Sequence, residues 1–96
     1  MQIIELEQVL DIIAAPKLYE NFMQLEGNAV TINAAKVQRV GAQNLQILLS
    51  AKKTWEAAEL DFILDNPSTS FAEAIKLIGL RLEDLTYHAQ VSREKV

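Results

Sequence analysis

Cysteine is absent from this chain of 96 residues, and glycine, proline and aromatic residues are scarce. Without cysteine, disulfides, thiolate metal ligands and a cysteine nucleophile are all excluded. Only three glycines occur, and none belongs to a glycine-rich run of the kind that cradles phosphate groups. Aromatic residues make up 6% of a chain that is 50% apolar, so we expect a core built mainly from Leu, Ile, Val and Ala.

Basic residues are also few, since nine Lys and Arg are outnumbered by thirteen Asp and Glu, for a net charge of −4. Binding to phosphate backbones needs clustered positive charge, so this composition argues against a nucleic-acid partner. No apolar run approaches the roughly 20 residues of a membrane-spanning helix. The first eight residues, MQIIELEQ, lack the basic start and apolar stretch of a secretory signal. We therefore expect a cytoplasmic protein with no direct insertion into a membrane.

The hydrophobic pattern predicts strands that alternate with helices. Alternating or continuous apolar runs predict strands at residues 3–6, 9–13 (a second strand, or a continuation of the first), 29–33, 37–40 and 60–64. Pro16 and Gly27 predict the start and end of a first helix, and Gly41 precedes a second, longer one. Its apolar arc comprises Leu45, Ile47, Leu48, Leu49, Ala51 and Trp55, and its polar arc Gln43, Gln46, Ser50, Lys53 and Thr54.

The last long helix is predicted from a capping box, with Ser70 as the N-cap, Glu73 reaching back to it, and Gly79 closing the helix. A short helical turn is expected around Leu82 and Leu85. The alternation indicates an α/β fold, a small mixed β-sheet with helices packed on it. We predict one domain over residues 1–86, followed by a polar and mobile C-terminal tail over residues 87–96.

The middle of the chain resembles a known family. The run Val30-Thr31-Ile32-Asn33, the run Val40-Gly41-Ala42-Gln43-Asn44-Leu45 and the strand-like LDFIL segment are similar to STAS domains. These are the domains of bacterial anti-sigma-factor antagonists and of related modules in lipid-transport and chemotaxis systems. The sequence from Val37 to Trp55 is most similar to those of small stand-alone STAS proteins associated with chemotaxis in α-proteobacteria.

The resemblance implies a signalling role with one departure from the family pattern. In regulated STAS domains, an acid followed by serine or threonine begins the long helix, and the hydroxyl is phosphorylated by a partner kinase. The matching positions here are Gly41 and Ala42. Alanine has no oxygen to phosphorylate, so the resemblance implies docking without the usual switch.

No arrangement of residues predicts catalysis, a cofactor or a metal ion. His88 is the only histidine and lies in the polar tail, while Glu56 and Glu59 flank an exposed helix end, where surface charge is the expected role. The hydroxyls of Ser68 and Ser70 could accept phosphate at a displaced site, although turn and capping roles explain them. We therefore expect a non-enzymatic protein.

The predicted function is binding of a protein partner, a chemotaxis histidine kinase or an anti-sigma factor, as an adaptor or antagonist. The uncharged polar side of the long helix, Gln43, Gln46 and Ser50, lies beside Arg39 and Asn44 near the start of the helix and is the expected contact surface. The expected contact residues are Arg39, Gly41, Ala42, Gln43, Gln46 and Lys53. One alternative is a cytoplasmic STAS subunit of a lipid-transport ABC complex. A small-molecule binding module is a further alternative, against which the Leu- and Ile-filled core predicts no obvious pocket.

Overall fold

Short parallel strands and three helices make up the part of the chain that the structure, a computed structural model, describes, which is residues 1–89. The elements follow one another as β1 (Gln2–Glu5), β2 (Val9–Leu10), α1 (Ala15–Leu25), β3 (Val30–Asn33), β4 (Arg39–Val40), α2 (Ala42–Ala57), β5 (Phe62–Asp65), α3 (Thr69–Leu77) and a 3-10 turn (Leu82–Leu85). The predicted α/β class is confirmed. In these residues no helix has both the length and the apolar character that crossing a membrane requires.

The strands form two small sheets, in which every ladder within residues 1–89 is parallel. β3 lies in the centre of the order β1-β3-β5, where Val30 is in register with Gln2 and Phe62, and β2 pairs with β4. Parallel neighbours need a long crossover, which α1 and α2 provide. The only antiparallel pairing in the described residues is a single bridge between Phe62 and Tyr87. The predicted mixed sheet is thus mainly parallel.

Three aromatic rings form the centre of the core between α1, α2 and β5. The centroids of Phe22, Trp55 and Phe62 lie 5.7 to 5.9 Å apart, in tilted and edge-on arrangements. The Trp55 indole donates a hydrogen bond of 2.6 Å to the Asn28 carbonyl, which satisfies its only polar atom. Aromatic residues are few, but half of them meet here and supply much of the core volume, alongside the expected aliphatic residues.

The predicted 9–13 strand ends early, at Leu10. The Asp11 carboxylate accepts hydrogen bonds from the backbone N–H groups of Ile13 and Ala14, at 3.1 and 3.2 Å, and this local turn leads directly into α1. Ile12 therefore lies in a loop with Ile13 rather than in the sheet. At the other end, α1 stops before Gly27, as predicted, and Gly27 adopts a positive φ of 93°.

The predicted cap of α3 is wrong by two residues. Ser68, not Ser70, is the N-cap, and its hydroxyl accepts a 3.0 Å hydrogen bond from the Phe71 N–H. The same hydroxyl donates a 2.6 Å hydrogen bond to the carbonyl of Val37. A capping residue that also bonds a distant loop is favoured over one whose hydroxyl would cap alone, so the helix begins at Thr69.

Residues 87–89, assigned to a mobile tail by the sequence pattern, pack on the body of the domain. Tyr87 exchanges two backbone hydrogen bonds with Phe62, of 2.7 and 2.9 Å, and the Ala89 N–H donates to the Asp61 carboxylate at 2.7 Å. The expected helical turn at Leu82–Leu85 is confirmed. The rest of the predicted tail, residues 90–96, lies outside the described residues.

Candidate docking edge and helix groove

The carboxyl ends of β2 and β4 and the N-termini of α1 and α2 meet at one edge of the molecule. The Gly41 N–H donates a 2.8 Å hydrogen bond to the Leu10 carbonyl, which places the start of α2 directly against the end of β2. We call this region the Gly41 edge and define it by five exposed residues: Ile12, Ile13, Arg39, Gly41 and Ala42.

The mouth of α2 offers backbone donors with no side chain to satisfy them. Gly41 is the N-cap and has no side chain, and the first turn contains no acid. The helix therefore keeps the partial positive charge of its N-terminus. Ala42 lies exposed at the first helical position, where the family resemblance would place a hydroxyl.

Asn44, expected at the exposed mouth of the helix, is instead completely buried, with 0% of its surface exposed. Its Nδ2 donates hydrogen bonds to the carbonyls of Leu10 and Asp11, at 2.8 and 2.9 Å, and so ties the end of β2 to the first turn of α2. Its Oδ1 is buried without a protein donor. The spacing could have revealed this, because Asn44 shares one helix face with Leu48 and Trp55.

Ile12 and Ile13 are the functional candidates that sequence reasoning missed, since the pattern placed them in a strand. They are 70% and 82% exposed on the loop whose first residue, Asp11, is held by Asn44. Single exposed apolar residues are ordinary, but two adjacent isoleucines on a tied loop form a patch that water solvates poorly. The loop itself is fixed, because the Asp11 carboxylate binds two N–H groups within it.

A groove runs between α1 and α2, contrary to the expectation of no obvious pocket. It encloses about 300 Å³. Its floor is the buried row Phe22, Ala51 and Trp55, and Tyr19 and Met23 form its α1 wall with 56% and 50% of their surfaces exposed. The uncharged polar side chains of α2 form the opposite rim: Gln43, Gln46, Ser50 and Thr54.

The six predicted contact residues are all wholly or largely exposed, yet they do not form one surface. Arg39 and Gly41 line a shallow depression beside α3, together with Glu73 and Leu77 of that helix. Gln43 and Gln46 line the groove. Lys53 lies on neither surface. The helical wheel grouped these side chains by polarity, whereas packing of α1 along α2 divides them.

The residues considered for metal binding and phosphorylation have definite places in residues 1–89. Residues 1–89 contain no group of three or more His, Asp or Glu side chains that could hold a metal ion together. The Ser68 hydroxyl, a candidate for phosphorylation, is occupied by its two hydrogen bonds. His88 is exposed.

Comparison of the chain with protein-family models, with curated proteins and with solved structures found no match. The geometry of the Gly41 edge and of the groove must therefore carry the functional argument.

Proposed function

We propose that this chain is a STAS-like, non-enzymatic adaptor or antagonist that binds a histidine-kinase-type signalling protein through the Gly41 edge. The family resemblance around Val40 to Leu45 supplies the kind of partner. The order of strands and helices is compatible with that resemblance. The docking surface consists of residues that are exposed at the Gly41 edge.

The observation that carries this proposal is the exposure of Ile12 and Ile13 on a fixed loop. Burying an isoleucine side chain contributes about 1.5–3 kcal/mol, so burying both against a partner would supply about 3–6 kcal/mol. That corresponds to about 10²- to 10⁴-fold in affinity. Because Asp11 and Asn44 already hold the loop, little conformational entropy is lost when it docks.

The mouth of α2 completes the docking surface. A phosphate at its first residue would be stabilised by the free N–H groups and would add two negative charges where the partner docks. Ala42 offers no atom for that modification. The proposed module therefore docks without a phosphorylation switch at this position.

Affinity capture from the native cell tests the proposal with three baits: the wild type, the double variant Ile12→Ser/Ile13→Ser, and the control Ile3→Ser. Ile3 is 71% exposed on β1, which matches Ile12 at 70%. We expect quantitative mass spectrometry to find a histidine-kinase-type protein with the wild type and the control. Its recovery should fall at least tenfold with the double variant.

The outcomes separate this function from its alternative. Recovery of the ATP-binding subunit of a lipid transporter in place of a kinase would replace the proposal with the transporter reading. Equal recovery of the kinase by all three baits would remove the Gly41 edge as the docking surface. Circular dichroism of the purified variants shows whether each bait is folded, which keeps a loss of binding from being confused with unfolding.

A further inference from the structure

A second surface, distinct from the Gly41 edge, is neutral in a strongly acidic chain. No residue from Gly41 to Ala51 is charged, although charged residues make up 23% of the sequence. The exposed polar side chains of that run, Gln43, Gln46 and Ser50, lie on one rim of the α1–α2 groove. Solvated helix faces usually carry charges, whereas the cores of interfaces are depleted of them.

The opposite wall of the groove is apolar and raised. Tyr19 and Met23 are one helical turn apart on α1 and half or more exposed, so they form a ridge beside the groove. Tyrosine and methionine are enriched in protein interfaces. A ridge and a groove side by side on one surface allow two copies of that surface to interlock.

We propose that two copies of this chain associate through this surface, with the Tyr19–Met23 ridge of each copy in the groove of the other. Such an interface is isologous: if Met23 contacts Gln46 of the second copy, Gln46 contacts Met23 of the second copy. The α1 and α2 helices of both copies then form one layer between two sheets. This interface is independent of the proposed kinase docking.

Charge explains why the occupant is a second copy. Two chains of net charge −4 repel each other, and near a two-fold axis each charged residue meets its own equivalent, so only a neutral surface permits close approach. The rim amides of Gln43 and Gln46 both donate and accept hydrogen bonds, so either can pair with the Tyr19 hydroxyl of a second copy.

Among residues 1–89, Glu26 is the only charged residue that lines the groove, and it lies just beyond the last turn of α1. With the two α1 helices antiparallel and the axis midway between Tyr19 and Met23, the rise of 1.5 Å per residue separates the two glutamates by about 15 Å. That distance exceeds the Debye length of about 8 Å at physiological salt, so their repulsion is largely screened.

Sedimentation equilibrium from about 1 to 500 µM, a range that detects dissociation constants into the millimolar region, tests the association. Three proteins are compared at pH 7: the wild type, Gln46→Glu in the groove, and Gln38→Glu at an exposed position outside the groove. We expect a reversible wild-type dimer, an unchanged control, and a dissociation constant raised at least tenfold by Gln46→Glu.

A second variant tests the ridge independently of charge. Met23→Ser truncates a half-exposed side chain of the ridge, and we expect it to raise the dissociation constant at least tenfold as well. Wild-type protein that stays monomeric up to about 500 µM would overturn the proposal. So would a dimer that neither Gln46→Glu nor Met23→Ser weakens. Kinase capture through Ile12 and Ile13 is unaffected by either result, so the two proposals fail separately.

Discussion

Replacing Asn44 with aspartate exchanges a hydrogen-bond donor for an acceptor and leaves the side chain nearly the same size. The Asn44 Nδ2 donates to two carbonyl oxygens, those of Leu10 and Asp11, at 2.8 and 2.9 Å. A carboxylate in that place would bring its own oxygen against both. The side chain is wholly buried, so water cannot relieve the repulsion.

The expected loss of stability is large because the cost of the buried charge exceeds the gain from the dipole of α2. Leaving an uncompensated charge buried costs about 3–5 kcal/mol. The favourable interaction of an acid with the N-terminus of α2 offsets only about 0.3–1 kcal/mol. A net loss of about 2–4.7 kcal/mol would lower the melting temperature by about 8–38 °C in a domain of this size.

Urea unfolding, followed by the fluorescence of Trp55, the only tryptophan, measures this loss. Gln43→Glu is the matched control, since it makes the same amide-to-carboxylate change one residue earlier at an exposed site. We expect the control to be neutral or to stabilise by up to about 1 kcal/mol. Protein at about 1 µM keeps self-association from contributing to the measured stability.

The pH dependence of stability provides a second test of the Asn44→Asp prediction. Burial and the two carbonyls should raise the pKa of the introduced carboxyl above its unfolded value of about 3.9. Folding then takes up a proton, so the loss relative to the wild type is full at pH 7 and shrinks as the pH falls toward 4. A loss no larger than that of Gln43→Glu would refute the buried donor arrangement.

Three further predictions concern local structure and the docking mouth. Ser68→Ala should cost about 1–2.5 kcal/mol in urea unfolding, because it removes both a cap and a bond to a distant carbonyl, whereas Ser70→Ala should stay within about 0.5 kcal/mol. Gly27→Ala should cost about 1–2 kcal/mol from its positive φ alone, since nothing lies within 4 Å of the added Cβ; the comparison is Gly41→Ala, whose φ of −88° suits any residue. Ala42→Glu should raise the melting temperature slightly through the helix dipole yet reduce kinase capture at least tenfold, and unchanged capture would contradict docking at the α2 mouth.

Elements with a local cause could be predicted from the sequence. The start of α1 one residue before Pro16, its stop just before Gly27 and the buried face of α2 depend on residues within a turn or two of one another. Their periodicity and capping chemistry are therefore readable without the fold. The predominance of parallel pairing also follows from the helices that lie between paired strands.

Two of the errors arose where the deciding partner is far along the chain. Asn44 bonds a carbonyl 34 residues away, and Ser68 bonds one 31 residues away. From the sequence alone, a polar residue in the first turn of a helix is expected to be solvated. Only the fold shows that β2 ends against Asn44 and buries it. The two surfaces escaped prediction for a similar reason, since only the packing of α1 along α2 separates Gln46 from Arg39.

Asn44 connects the loop that follows β2 to the first turn of α2. An unpaired buried acceptor such as its Oδ1 costs about 1–3 kcal/mol, which a leucine in the same place would avoid. Both bonded carbonyls have a second donor, Gly41 N–H for Leu10 and Ala14 N–H for Asp11, so satisfying them does not require the amide. What only the amide provides is a rigid tie between the loop and α2. That tie sets where Ile12 and Ile13 lie relative to Ala42, and so fixes the geometry of the surface that we propose as the docking site.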